Sequence, residues 1–361
     1  MMTRRRFFGL LASLPVLGIS ARAAKASGGS FYYDGPVSDH FDGRRFFNPE
    51  SEAGPRGFGD FLRWQLSETK TPWPERYPSP YSDEPPMAVD PGSLRVALVG
   101  HATFLIQIGG LAILTDPVWS QRASPFPFAG PKRHNDPGIA FDALPQIDAV
   151  VISHNHYDHL DLNTLARLWQ RDRPRIIAPL GNAAIIQAQH PQIEVTSVDW
   201  GDAITLDGAG GASATIVTEP AHHWSARALG DRNHALWASY VFRSAGHTVY
   251  FAGDCGFGGG RNFRNIATRY PRLDLALLPI GAYEPRWFMK EQHMNPQDAV
   301  EAFRILNPRR AIGFHWSTFR LTNEGIDEPV RDLEKALADQ AIDPTRFVAA
   351  LPGQVWHGAS A

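Results

Sequence analysis

Cysteine, long apolar runs and internal repeats are all scarce in this sequence of 361 residues. Cys255 is the only cysteine, so a disulfide bond within the chain is excluded. No internal stretch approaches the ~20 consecutive apolar residues that a transmembrane helix requires, and no short-period repeat is evident. With 43% hydrophobic residues, the chain can bury a sizeable core in one large domain or two smaller ones.

A run of basic residues occurs only at the N-terminus, where Arg4, Arg5 and Arg6 precede two phenylalanines. An apolar run over residues 9–19 follows, and small residues suited to cleavage come after it. This arrangement is typical of an export signal and resembles the twin-arginine type. We therefore predict a signal peptide over residues 1–26 and a periplasmic protein. The alternative is a short amphipathic membrane anchor.

The absence of a second basic run bears on the kind of partner. The first 26 residues carry five basic residues and no acidic residue, so their removal changes the formal charge from −2 to −7. An acidic mature protein without a basic run argues against nucleic acid as a partner. The oligomeric state is not indicated by the sequence.

The order of the predicted elements indicates the fold class. Residues 27–93 are rich in Gly, Pro, Asp and Ser with scattered aromatics, which predicts an N-terminal wrap over the main domain, with disorder as the alternative. Over residues 94–361, strands dominate the first half, beginning with a meander around a Gly109-Gly110 turn, and strands alternate with helices in the second half. Two packed sheets with helices outside them are therefore expected, which is an α/β architecture.

The densest chemical motif lies between residues 150 and 162, in the sequence VVISHNHYDHLDL. A short β-branched strand is followed at once by His154, His156, Asp158 and His159. His154 and His156 are two residues apart, so on an extended chain both rings point the same way. Asp158 and His159 lie where the chain turns and can face a second point. Imidazole and carboxylate together suit zinc or another divalent transition ion, so this loop predicts ligands for two metals.

Further ligands should also follow apolar strands, and three positions do so. These are the pair His222-His223, Asp254 in the segment FAGDCG, and His315. The small residues around Asp254 allow a tight backbone turn. Spacing alone does not decide between His222 and His223.

Eight segments of the sequence resemble the metallo-β-lactamase superfamily and, within it, the N-acyl-phosphatidylethanolamine-hydrolysing phospholipase D family. The segment DAVVISHNHYDHLD at residues 148–161 is a mark of the superfamily, whereas PIGAYEPRWFMKEQHMNP at 279–296 and HWSTF at 315–319 point to the phospholipase D family. The others are GHATFLIQ (100–107), LTDPVWSQRASP (114–125), GPKR (130–133), HHW (222–224) and FAGDCG (251–256). The resemblance extends from about residue 95 to about residue 323. It implies an αβ/βα four-layer sandwich with an N-terminal extension.

The resemblance also implies a site for two divalent metal ions, which we expect to be Zn²⁺. His223 is preferred to His222 because the family's histidine directly precedes a tryptophan, here Trp224. One ion would take three histidines, the other would take two histidines and a carboxylate, and a second carboxylate would bridge them. The respective residues are His154, His156 and His223; Asp158, His159 and His315; and Asp254.

The same resemblance implies roles for other residues. Asp158 or a bound water would shuttle a proton, and His293 would contact the phosphate or protonate the leaving group; a helix-capping or surface histidine is the alternative for His293. His101 and Asp116 would orient metal ligands through hydrogen bonds, with a purely structural role at strand ends as the alternative. The residues expected at the rim of the site, with loop packing as the alternative, are Tyr283, Glu284, Arg286 and Trp287.

We therefore expect a zinc-dependent phosphodiesterase acting on a phospholipid or another phosphodiester. Two ions lower the pKa of a shared water, and the resulting hydroxide attacks phosphorus. The segment 126–128, Phe-Pro-Phe, would offer apolar surface for peripheral membrane contact if it is exposed. Because the same ligands support attack on a carbonyl carbon, one alternative is a lactone, ester or β-lactam hydrolase. The other is a metal-binding protein without turnover.

Overall fold

Two seven-stranded sheets form the centre of the computed structural model, which describes residues 29–49, 58–67, 70–244 and 246–358. The first sheet contains β1 (Leu94–Gly100), β2 (Thr103–Ile108), β3 (Leu111–Thr115), β4 (Ala149–Val151), β5 (Arg175–Pro179), β6 (Val195–Val198) and β14 (Val355–His357). The second contains β7 (Ala203–Asp207), β8 (Ser213–Glu219), β9 (Ser239–Ser244), β10 (His247–Phe251), β11 (Leu275–Pro279), β12 (Arg310–Phe314) and β13 (Phe347–Ala349). The strand orders are β14-β1-β2-β3-β4-β5-β6 and β13-β12-β11-β10-β9-β8-β7.

Helices cover the outer face of each sheet. Those in the described residues are α1 (Phe58–Ser67), α2 (Leu162–Asp172), α3 (Asn182–Gln189), α4 (Arg261–Arg269), α5 (Arg286–Met289), α6 (Pro296–Leu306) and α7 (Glu328–Asp339). Apolar residues of α2 and α3 pack on the first sheet, and those of α4, α6 and α7 pack on the second.

Successive residues of the buried strands face different layers of the fold. Leu94, Val96 and Leu98 of β1 belong to the core between the sheets, whereas Ala97 and Val99 face the layer of α2 and α3. Because both faces of this strand are buried, its sequence from Val96 to Val99 is continuously apolar. The resulting order of layers, helix–sheet–sheet–helix, confirms the predicted αβ/βα sandwich.

Three phenylalanines join the two sheets near the edge that carries the long loops. The ring of Phe104 in β2 lies 5.4 Å from that of Phe314 in β12 and 6.2 Å from that of Phe251 in β10, measured between centroids. Phe251 and Phe314 are the last residues of their strands and lie 5.5 Å apart. Aromatic pairs of this kind stabilise the core beyond the effect of burial alone.

The arrangement of parallel strands determines where the site lies. β3, β4 and β5 run parallel in the first sheet, and β10, β11 and β12 run parallel in the second. Since the carboxyl ends of parallel strands meet at one edge, the loops that follow them collect there. The predicted ligands lie in such loops except His223, which follows β8; this strand runs in the same direction as β10 but pairs antiparallel with both of its neighbours.

Most predicted elements are present, and the differences lie at their ends. The sequence predicts a helix over Asn163–Trp169 with Asn163 near its cap. In the structure this helix begins at Leu162, and its N-cap is Asp161, whose carboxylate accepts the backbone N–H groups of Asn163 and Thr164. The sequence also predicts a strand over Leu236–Phe242. This strand begins at Ser239, because the N–H groups of Leu236 and Ala238 bond to loops of the first sheet instead. β7, β14 and α5 are additional to the prediction.

The segment that precedes β1 packs against the sandwich where it is described. Phe41 and Phe46 are buried beside Trp237, and the indole of Trp73 donates to the backbone carbonyl of Glu324. The predicted signal peptide lies outside the described residues, and the proposed domain bounds remain predictions. Within the described part of the chain, no helix combines the length and apolarity that crossing a bilayer requires.

Candidate metal centre

The loop after β4 carries four of the predicted ligands, and a neighbouring strand end holds it in place. Both the backbone N–H and the hydroxyl of Ser153 donate to Asp116, which follows β3, at 2.6 and 2.5 Å. The backbone turns after His156, whose carbonyl accepts the N–H groups of His159 and Leu160. The two halves of the loop accordingly enter two different groups of side chains.

The first group consists of His154, His156, His223 and Asp254, whose candidate ligand atoms all lie within 4.8 Å of one another. Nε2 of His154 is 2.8 Å from Nδ1 of His156 and 3.8 Å from Oδ2 of Asp254. His223 follows β8, and its Nε2 is also 3.8 Å from that oxygen. Nε2 of His156 and Nε2 of His223 are buried with no hydrogen-bond partner among the described residues.

The second group consists of His101, Asp158, His159 and His315. Nε2 of His159 and Nε2 of His315 are 3.2 Å apart and lie 3.5 and 3.4 Å from Oδ2 of Asp158. Asp254 borders this group as well, because its Oδ2 is 3.1 Å from Nε2 of His159 and its Oδ1 is 3.0 Å from Nε2 of His315. Its carboxylate therefore lies between the two groups.

These distances fit divalent metal ions. Ligand atoms around a tetrahedral zinc ion are about 3.3 Å from one another when each bond is about 2.0–2.1 Å long. Imidazole with carboxylate is a donor set that zinc accepts. Buried imidazole nitrogens without hydrogen-bond partners are unusual in folded proteins, and a bound ion would satisfy them.

Comparison with known proteins agrees with this geometry. Residues 112–316 match the beta-lactamase superfamily domain. The chain is also 40% identical over 270 residues to N-acyl-phosphatidylethanolamine-hydrolyzing phospholipase D 1 of Caenorhabditis elegans, which covers 72% of this chain and 75% of that relative. The chain belongs to the metallo-β-lactamase superfamily, in the N-acyl-phosphatidylethanolamine-hydrolysing phospholipase D family. The predicted resemblance is thereby confirmed.

Two further likenesses concern the superfamily as a whole. A metal-dependent hydrolase of Thermococcus kodakarensis is 30% identical over 228 residues, which is 63% of this chain and 86% of that relative. The solved structure of Igni18, a metallo hydrolase from Ignicoccus hospitalis, superimposes with a TM-score of 0.54 at 20% identity, over 74% of this chain and 99% of that one. The second likeness shows the fold alone. The chain is thus a metal-dependent hydrolase of the metallo-β-lactamase fold.

Of the six histidines in the two groups, two carry a positive charge at neutral pH and four are neutral, among them His101, because burial lowers its pKa to about 3. Burial lowers the pKa of His154 and of His223 well below the usual range and that of His156 to about 3. Burial acts in the same direction on His315, but the carboxylates of Asp254 and Asp158 outweigh it and raise its pKa to about 9. Burial would also lower the pKa of His159, but the same two carboxylates and that of Asp116 outweigh it and raise this pKa well above its ordinary value. Metal binding at neutral pH must therefore displace protons from His159 and His315.

Residues behind the clustered side chains orient them. Nδ1 of His159 donates to Asp116 at 2.7 Å, and Nε2 of His101 donates to Asp158 at 2.9 Å. Both His101 and Asp116 have positive backbone φ angles, 56° and 36°, in the region that non-glycine residues rarely adopt. Such strained conformations persist where the surrounding structure enforces them, as at functional sites.

Two supporting contacts were not predicted from the sequence. The Ser153 hydroxyl lies 2.9 Å from Nδ1 of His154, and the backbone carbonyl of Gln292 accepts Nδ1–H of His223 at 2.8 Å. The position of Ser153 directly before His154 could have indicated the first contact from the sequence. The second could not be predicted, because every residue has a backbone carbonyl. His222 lies outside both groups, with its Nε2 3.9 Å from Glu291.

His293 lies in the loop between α5 and α6 and forms a third group with Asp254 and His315. Its Nδ1 is 3.9 Å from Oδ2 of Asp254 and has no hydrogen-bond partner in the described chain. Burial lowers the pKa of His293 to about 4, so the ring is neutral at neutral pH and keeps one N–H to donate. The N-cap of α6 is Asn295, so His293 is not that helix's cap.

The four residues predicted at the rim are tied into the loop that precedes His293. The Tyr283 hydroxyl donates to Asp332 of α7, and the Arg286 guanidinium donates to the carbonyl of His293. Trp287 belongs to an apolar cluster with Trp64 of α1. These contacts hold the loop, and any contact of the four side chains with a substrate remains a prediction.

Glu324 is a buried residue that the sequence did not single out. Its carboxylate accepts the backbone N–H groups of Ala282, Tyr283 and Glu284 at 2.6, 3.3 and 3.1 Å. It also accepts the Thr322 hydroxyl at 2.7 Å. Glu324 therefore determines the path of the backbone that leads to His293.

Proposed function

We propose that this protein is a zinc-dependent phosphodiesterase of the phospholipase D type that cleaves a phospholipid-type phosphodiester. The observation that carries the proposal is the position of Asp254, whose carboxylate lies 3.0–3.1 Å from histidines of one group and 3.8 Å from those of the other. Two ions flanking one carboxylate suit an in-line displacement at phosphorus. The 40% identity to the Caenorhabditis elegans relative, named for the hydrolysis of an N-acyl-phosphatidylethanolamine, favours a phosphodiester over a carbonyl substrate.

Each zinc ion would be held by three side chains of one group, with Asp254 shared between the ions. The first set is His154, His156 and His223, and the second is Asp158, His159 and His315. When bound, the ions supply a water activated near neutral pH and polarise a phosphoryl oxygen.

The chain's own residues orient the ligands and move protons. Asp116 and the Gln292 carbonyl accept Nδ1–H of His159 and His223, which leaves Nε2 of each ring to face a metal. Burial would raise the pKa of Asp158, but His159 and a hydrogen bond from His101 outweigh it, so this carboxylate is ionised and can accept a proton. The neutral ring of His293 would donate its N–H to a phosphate oxygen or to the leaving alkoxide.

We also propose peripheral contact with a lipid surface through two loop tips beside the site. Phe126 and Phe128 are 54% and 78% exposed and pack on each other, and Leu229 is fully exposed. Both loops border Tyr157 of the metal loop, because Tyr157 clusters with Ala123 and its hydroxyl donates to the carbonyl of Arg227. Exposed apolar side chains of this kind suit shallow insertion among lipid headgroups.

Export to the periplasm is a further proposal, supported by the sequence of residues 1–26. Fractionation of cells expressing the full chain tests it. We expect wild type in the periplasm and the double variant Arg4→Lys/Arg5→Lys in the cytoplasm. Accumulation of the wild-type chain in the cytoplasm would contradict the proposal.

The activity is tested with purified protein on an N-acylated phosphatidylethanolamine, on bis-p-nitrophenyl phosphate and on nitrocefin. We expect hydrolysis of both phosphodiesters. Hydrolysis of nitrocefin without either phosphodiester would instead support a β-lactam hydrolase. Elemental analysis should find two zinc ions per chain in wild type and in the control His357→Ala, an exposed histidine of β14, and fewer in His154→Ala and Asp254→Ala. Two ions retained in both of the latter variants would refute the proposed ligands.

A further inference from the structure

Arg232 is a half-buried cation for which the described residues provide no hydrogen-bond or ion-pair partner. It lies in the loop between β8 and β9, and its Nε is buried with no hydrogen-bond partner among the described residues. The carboxylate of the adjacent Asp231 is engaged elsewhere, by the Tyr32 hydroxyl and by the backbone N–H groups of Arg227 and Ala228. Removing a charge from water without pairing it is costly. An anion from outside the chain would provide the missing partner.

Trp224 holds this guanidinium beside the metal centre. Cζ of Arg232 lies 4.0 Å above the indole, and the centroid of the indole is 4.5 Å from that of the His156 ring. Nε1 of Trp224 is also buried without a hydrogen-bond partner in the described part of the chain. Two unsatisfied donors, an indole N–H and a guanidinium N–H, are therefore stacked together next to a proposed metal ligand.

A second positive charge, that of Arg45, acts on Arg232. Burial and the charge of Arg45 together lower the pKa of Arg232 to about 10, so the guanidinium stays charged at neutral pH. A positive patch at the mouth of a site raises the local concentration of anions. The planar guanidinium matches the oxygen pairs of phosphate and carboxylate, and stacking on Trp224 restricts its orientation in advance.

We propose that Arg232 and Trp224 form a subsite that binds an anionic group of the substrate, a phosphate or a carboxylate, beside the metal centre. One indole separates the guanidinium from His156, so the anion lies next to the reacting group and not on the metals. The subsite therefore favours substrates with a negative charge close to the scissile bond. Assigning the anion to a substrate rests on the proposed phosphodiesterase function, whereas anion binding by Arg232 does not.

Anion binding is tested by calorimetric titration of inorganic phosphate into the full chain treated with a chelator. We expect Arg232→Gln to raise the dissociation constant for phosphate by about tenfold or more, because charge-assisted hydrogen bonds are lost. Arg232→Lys keeps the positive charge but loses the paired N–H donors of the guanidinium, so its phosphate affinity should lie between those of wild type and Arg232→Gln. The control Arg167→Gln removes an exposed arginine stacked 3.7 Å above Phe141 and should leave binding unchanged. Phosphate binding that is equal in wild type and Arg232→Gln would overturn the subsite.

The assignment to a substrate is tested with zinc-loaded enzyme and two p-nitrophenyl phosphodiesters that differ only in a carboxylate or its methyl ester on the second alcohol. We expect Arg232→Gln to raise KM for the carboxylate about tenfold and to leave the methyl ester within about twofold. An equal rise of KM for both substrates would contradict the binding of a substrate anion by Arg232. If the enzyme cleaves neither ester, the proposed function fails, and the phosphate titration still decides whether Arg232 binds an anion.

Discussion

Raising the pH should destabilise the protein from which metal has been removed, because His315 holds a proton in the folded state. Its pKa is about 9, against an ordinary value of 6.5 that we take for the unfolded chain. A tenfold change in a proton equilibrium is worth about 1.4 kcal/mol, so this difference amounts to about 3 kcal/mol. The contribution is fully present below pH 6.5 and is lost as the pH rises to about 9. His159, whose pKa is also raised, acts in the same direction.

The other clustered histidines do not mask this effect. These are His101, His154, His156, His223 and His293, and all have lowered pKa values, so their contribution is present above the ordinary value of 6.5 and is lost as the pH falls below it. On the alkaline side, these rings are neutral in both the folded and the unfolded chain. His40 also has a raised pKa, because Asp199 and Asp39 outweigh its burial, but it lies outside the metal cluster. Its contribution cancels between chelated and zinc-loaded samples.

Thermal unfolding followed by circular dichroism tests the prediction. Over the range from pH 6.5 to about 9, the Tm of the chelated protein should fall by on the order of 5 °C. The zinc-loaded protein should lack most of this fall, because bound zinc has already displaced the protons. His315→Gln should reduce the fall in the chelated protein. A Tm that stays level or rises in chelated wild type would refute the protonation that we assign to His315.

Three further predictions concern residues around the centre. Asp116→Asn removes the carboxylate that orients His159, so competition with a chromophoric chelator should show a zinc affinity lower by roughly 10–100-fold, and an unchanged affinity would contradict this role. Glu324→Gln weakens the acceptor of three backbone N–H groups, so urea unfolding should show a loss of about 1–3 kcal/mol with the zinc content unchanged. Phe128→Ser should reduce sedimentation with phospholipid vesicles and spare hydrolysis of bis-p-nitrophenyl phosphate, and vesicle binding equal to wild type would argue against this loop tip as the contact.

The candidate ligands could be predicted because each follows an apolar strand. A residue such as Asp254 or His315 takes its position from the carboxyl end of a buried strand, and the burial pattern that predicts the strand also predicts the edge at which it ends. In the loop at 154–159, the close spacing of three histidines and an aspartate further indicated a metal site. The burial pattern also gave the order of strands and helices, and that order predicted the helix–sheet–sheet–helix layers.

Other features depend on partners that the local sequence does not reveal. Glu324 binds backbone N–H groups about 40 residues away, and the Gln292 carbonyl that orients His223 is a group every residue possesses. Arg232 stands out because its Nε has no hydrogen-bond partner among the described residues, and only the folded structure shows this. β14 is three residues long and pairs with β1 from the opposite end of the domain, so its short apolar pattern is not distinctive.

The three phenylalanines between the sheets have a consequence for the metal centre. Phe314 directly precedes His315, Phe251 lies three residues before Asp254, and both rest on Phe104 of the opposite sheet. The thickness of the hydrophobic core at this edge thus sets how far the loops of one sheet stand from the histidine-rich loop of the other. A change of side-chain volume here would alter coordination geometry without touching a ligand. Core packing in this protein is therefore also a means of tuning the metal centre from a distance.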